Sequence, residues 1–141
     1  VDIVKTGLLV AGGEPLPFKQ RDIRVNGHAI ECRINAEDWQ RNFMPSAGRI
    51  EKLELPGGLG IRNDTHAVPG YTVPPTYDSM IGKLIVHGSD RDEAIRRTKR
   101  ALDEMTIEPI NTTISLHQQL MENENFRAGG MDIHFLERLL G

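Results

Sequence analysis

The run His28-Ala29-Ile30-Glu31-Cys32-Arg33-Ile34-Asn35-Ala36-Glu37-Asp38 decides how the chain is read. It alternates: His28, Ile30, Cys32 and Ile34 fall on one face of an extended strand, and Ala29, Glu31, Arg33 and Asn35 on the other. That is the pattern of a half-buried strand. Its polar face carries a carboxylate, a guanidinium and an amide in a row, at steps of roughly 6–7 Å. A guanidinium fork stays protonated at every working pH and suits a planar oxyanion. On pattern alone, an ordinary Glu31–Arg33 ion pair on a solvated face is the commoner explanation.

Further strands follow. Gly48–Leu55 reads as a second strand whose imperfect alternation predicts a bulge, stopped by Pro56-Gly57-Gly58. Gly57-Gly58-Leu59-Gly60 reads as a tight hairpin connection into a third strand over Ile61–Val68. Tyr71–Asp78 is too rich in proline to pair in a sheet centre, and its two tyrosines read as packing on a rigid connection. Met80–His87 is a fourth strand, closed by Gly88.

The C-terminal third changes period. Ala94, Ile95, Thr98, Ala101, Leu102 and Met105 form one helical stripe, started by a capping box at Asp90–Glu93 and bounded by Pro109. A second helix after Asn111 puts Ile114, His117, Leu120 and Met121 on one face and ends before Gly129-Gly130. A third, short helix after Asp132 carries Phe135, Leu136, Leu139 and Leu140. Strands followed by helices without βαβ alternation predict an α+β fold, a small antiparallel sheet followed by packed helices. Ahead of the sheet, Val1, Val4, Leu8 and Ala11 share a helical face that Gly12-Gly13 stops, and Glu14–Pro17 is a linker. A helix with no lead-in predicts that the chain is cut from something larger.

The 141 residues, 38% hydrophobic and 26% charged, suffice for one globular domain. A net charge of −3 argues against a nucleic-acid binder that works by neutralising phosphates. Cys32, the single cysteine, excludes a disulfide framework and reads as a buried small hydrophobe. No apolar stretch is long enough to span a membrane, so the cytoplasm is the expected location. The five histidines and the cysteine show no zinc spacing, and no metal ligands are assigned. His117 reads as a satisfied core histidine. No phosphate-cradling glycine loop or Ser-His-Asp arrangement can be defended. A catalytic machine complete in itself is therefore not legible.

Tyr71–Leu84 is the most unusual stretch, and it brings a resemblance within reach. The segments His28–Asp38, Phe43–Ser46, Gly57–Arg62, Tyr71–Leu84, Asn123–Phe126 and Ile133-His134 occur in the order found in the C-terminal domain of biotin carboxylase. That enzyme is the ATP-grasp component of the acetyl-CoA, propionyl-CoA and pyruvate carboxylases. The resemblance covers essentially the whole chain. It implies that residues 1–18 are the helix and linker left from a preceding ATP-grasp domain, with the C-terminal domain over 19–141.

By this resemblance Arg33 contacts bicarbonate and biotin and steadies the enolate-like ureido group, with Glu31 fixing the fork. Asp78 supports the biotin site, and Ile133-His134 reach the adenine of ATP. Leu59 and Arg62 would lie in a homodimer contact. Leu59 replaces an aromatic common in bacterial relatives, and Trp39-Gln40-Arg41 departs from a family pattern with proline after the aspartate. The family's nucleotide-binding lysines, Mg2+-binding glutamates and proposed base lie upstream of Val1. The implied cofactors are thus ATP, carrier-bound biotin and Mg2+. The implied partners are a biotin carboxyl carrier protein or domain, bicarbonate, a second copy of the parent enzyme and a carboxyltransferase. A stand-alone binding module on the same fold, or the same domain in another carboxylase such as urea carboxylase, is the competing explanation.

Overall fold

The computed structural model describes residues 1–141. The elements are α1 (Ile3–Ala11), β1 (His28–Asn35), β2 (Glu37–Asp38), β3 (Met44–Pro45), β4 (Gly48–Arg49), β5 (Lys52–Glu54), β6 (Ile61–Thr65), β7 (Thr72–Val73), β8 (Met80–Gly88), α2 (Arg91–Glu104), β9 (Thr106–Glu108), α3 (Ile114–Glu122), α4 (Glu124–Ala128) and α5 (Phe135–Leu140). The fold is α+β. Its main sheet has three antiparallel strands in the order β1-β8-β6, and short two-stranded ladders β2-β3, β4-β7 and β5-β9 frame it.

Alternation in β1 survives intact. Ile30, Cys32 and Ile34 are buried and face Val86, Leu84 and Gly82 across the ladder to β8. Helix α2 packs over this inner face with Ala94, Ile95, Thr98, Ala101 and Leu102 buried. The predicted start of α2 is present, since Asp90 Oδ1 accepts from the Glu93 amide at 2.8 Å. Glu93 returns the bond to the Ser89 amide rather than to that of Asp90. Burial among these apolar side chains pushes the Cys32 thiol up to about 12, so it stays protonated and packs as a hydrophobe.

Three expectations are corrected. The predicted strand over Gly48–Leu55 is two strands: β4 pairs with β7, and β5 with β9. Between them Ile50 is fully buried and the chain changes partner, which is why the alternation is imperfect. Gly57–Gly60 does not make a hairpin, because β6 pairs with β8 and not with β5. The predicted second helix breaks at Asn123, whose side chain accepts from the Phe126 amide at 3.1 Å and caps a separate α4.

Helix α1 buries none of its residues, and Ile3, Val4 and Leu8 stand exposed. No helix is long and apolar enough to cross a membrane.

Candidate active site

The outward face of the sheet is a grid of charge built by register. Arg33 stands opposite Lys83 on β8, and Lys83 stands opposite Asp64 on β6. One row along, Ile85 lies between Glu31 and Arg62. Two cations directly opposite each other on antiparallel strands repel. Glu31 offsets that repulsion, with its Oε1 4.0 Å from Arg33 Nε and 3.7 Å from Lys83 Nζ.

The two arginines of this face differ in how their heads are held. Arg62 grips Asp64 bidentately, Nε to Oδ1 at 2.8 Å and the second nitrogen to Oδ2 at 2.5 Å. This hydrogen-bonded pair holds the Asp64 carboxyl below, and the Arg62 guanidinium above, their ordinary ranges. Gly60 stands two residues before Arg62, so no carboxylate precedes that arginine on the strand face. Its partner lies two residues after it rather than two before. Arg33, with a side chain 67% exposed, donates no hydrogen bond from its guanidinium. Glu31 is too far to fix the fork, so its expected orienting role reduces to a loose electrostatic contact.

The backbone of Arg33 is held firmly. Its carbonyl accepts from Thr113 Oγ1 at 2.9 Å and from His117 Nε2 at 2.8 Å. His117 is thus the satisfied histidine that the apolar helix face predicts. Burial holds its pKa below 6.5, against the opposing effect of the Arg33 carbonyl. Just beyond Ile34 the β1–β8 register shifts, so that Asn35 stands opposite Met80 and Ile81 is the extra residue.

Asp78 sits at the foot of β8. Its Oδ1 accepts from the Met80 amide at 2.9 Å, an Asx turn that starts the strand. Ile133, 90% exposed, lines a cleft of about 680 Å³ with Trp39, Asn42, Phe43, Leu136 and Leu140. Trp39 is tied to α3 by its Nε1, which donates to Ser115 Oγ at 2.9 Å. His134 Nδ1 is 3.0 Å from Glu137 Oε2, and the His134 amide donates to Asp132 Oδ1. Arg33, Asp78, Leu59 and Arg62 do not line this cleft. No group of three or more His, Cys, Asp or Glu side chains that could by itself hold a metal ion is present.

Sequence reasoning overlooked Lys83 as the neighbour of Arg33 and Thr113 as its backbone anchor. Both depend on register and on a contact across 80 residues, which no local pattern encodes.

The family model described as "Biotin carboxylase C-terminal domain" matches residues 31–138. The chain is 56% identical to a biotin carboxylase of Haemophilus influenzae, over all of this chain and 31% of that relative. It is 54% identical to biotin carboxylase 1 of Bacillus subtilis, over 96% of this chain and 30% of the relative. Among solved structures, the biotin carboxylase domain dimer of Hydrogenobacter thermophilus 2-oxoglutarate carboxylase, in complex with MgADP, ADP and bicarbonate, superposes with a TM-score of 0.93. It is 45% identical, over 98% of this chain and 30% of that one. The chain therefore spans about a third of the length of the relatives it matches.

Proposed function

The chain belongs to the family of biotin carboxylase C-terminal domains, and on that premise we propose that it forms one wall of the active site of an enzyme that carboxylates biotin with ATP and bicarbonate. The observation that carries this is the contrast on the charged face: Arg33 has a pinned backbone and an uncommitted head, while Arg62 is locked to Asp64. A cation with free N–H donors can bind bicarbonate. It can then neutralise the negative charge that grows on the biotin ureido oxygen as its nitrogen becomes nucleophilic. A cation brought to the developing charge from an anchored backbone stabilises the transition state more than the ground state. Lys83 and Glu31 set the local field around that step.

Asp78 supports the biotin side by fixing the start of β8. Ile133 and His134 meet the adenine of ATP, for which an exposed apolar side chain beside an apolar cleft is suited. Leu59, 81% exposed, and Arg62 form part of a homodimer contact. Residues 1–18 are the tail of a preceding ATP-grasp domain, and the exposed apolar side chains of α1 are its contact; residues 19–141 are the C-terminal domain. A biotin carboxyl carrier protein or domain brings the biotin, and a carboxyltransferase consumes the carboxybiotin. The cytoplasm supplies the ATP.

The test is ATP-dependent transfer of labelled bicarbonate to carrier biotin by the full-length protein. Label must appear on the carrier only with ATP and biotin both present. ATP hydrolysis indifferent to biotin, with an unlabelled carrier, would overturn the proposal.

A further inference from the structure

Strand β1 lies at the edge of its sheet, so only β8 pairs with it. Edge backbone groups normally go to water, and a buried one left without a partner is costly. Over residues 33–35 the free edge is closed by the start of α3. Thr113 N–H donates to the Asn35 carbonyl at 3.1 Å, and Thr113 Oγ1 accepts from the Asn35 N–H at 3.0 Å. The same hydroxyl donates to the Arg33 carbonyl, which also takes the His117 Nε2 proton. Both lone pairs of that carbonyl are used. One bond would have satisfied it; the second adds fixity. The reinforcement falls next to the Ile34/Asn35 register shift, where the ladder to β8 is irregular.

We propose that His117, together with Thr113, is a positioning residue for Arg33: it holds the base of the side chain so that the free guanidinium arrives at the reacting oxyanion at a set height. The proposal rests on the function assigned to Arg33 above. With no hydrogen bond at the head, the reach of Arg33 is set by its Cα. Loss of the His117 bond leaves the Thr113 hydroxyl alone on the carbonyl and lets the strand edge shift toward solvent. Misplacement by a fraction of an ångström to one ångström is enough to cost catalysis.

The test is a double-mutant cycle in the full-length protein. His117→Ala should lower kcat for biotin carboxylation about tenfold while leaving the KM for ATP unmoved. His117→Gln, which keeps an N–H donor, should recover most of the loss. In an Arg33→Ala background, His117→Ala should lower turnover no further, because the group through which it acts is gone. An equal loss in both backgrounds, or no loss in either, overturns the proposal. If His117→Ala does not fold, Thr113→Val, which keeps the shape and removes the hydroxyl, enters the same cycle with the same criteria. If Arg33→Ala alone leaves turnover intact, the proposed function itself is wrong and this inference falls with it, an outcome separate from a failed cycle.

Discussion

The carbonyl of Arg33 lies 2.8 Å from Nε2 of His117, and since a carbonyl only accepts, the imidazole carries its proton on Nε2. A residue of α3 and the proposed catalytic arginine of β1, 84 positions apart, are thus one unit.

Burial holds the folded-state pKa of His117 below its ordinary 6.5. The unfolded chain then takes up a proton that the native state refuses, so native stability is complete above pH 6.5 and falls as the pH drops below it. Proton NMR of the His117 ring should give a midpoint below 6.5. Thermal melts of His117→Gln should lose less stability than wild type as the pH falls below about 6.5, the unfolded pKa. A midpoint above 6.5, or identical melts, contradicts the burial argument.

Two glycines separate backbone approach from backbone freedom. A Cβ on Gly88 would stand 2.5 Å from the Ala94 amide nitrogen and 3.0 Å from its Cα, backbone that cannot yield. Gly88→Ala should therefore destabilise by about 1–3 kcal/mol or more, the cost of overpacking. Gly7, inside α1, has nothing within 4 Å of its would-be Cβ, and Gly7→Ala should stabilise that helix by about 0.5–1 kcal/mol. Chemical denaturation of both variants decides. Equal effects would mean that the packing of β8 against α2 is looser than described.

The main sheet was legible because β1 keeps a period of two and β8 is an apolar, β-branched run closed by Gly88, and α2 because it keeps its apolar stripe and its Asp90 cap. The short ladders were not. β9 has three residues, too few for any period to show, and it takes up half of a segment that reads as one strand at Gly48–Leu55. Arg33 and the resemblance were readable locally, and so was the satisfied state of His117. The Arg62–Asp64 pair, two residues apart on one strand face, was open to a local reading that missed it, whereas that Lys83 faces Arg33 and that Thr113 anchors β1 are facts of register and tertiary contact. A reading along the chain does not contain them.

Asp64 holds the Arg62 fork, so the proposed dimer contact depends on both residues. Arg62→Glu sets two carboxylates side by side next to exposed Leu59 and should shift the full-length protein from dimer toward monomer. Asp64→Asn should shift it less in the same direction. Sedimentation equilibrium on the three proteins checks this. Identical association constants would make Arg62 a surface charge and place the dimer contact elsewhere.

The most direct test is turnover of Arg33→Ala in the full-length protein, measured as bicarbonate-dependent carboxylation of biotin. The guanidinium points into solvent without hydrogen bonds, so its removal should leave the melting temperature nearly unchanged. Carboxylation should fall by roughly 10²–10³, the cost of losing one preorganised oxyanion donor. Unchanged turnover in a folded Arg33→Ala protein would contradict the account and return Arg33 to the ordinary ion pair on a wet sheet face.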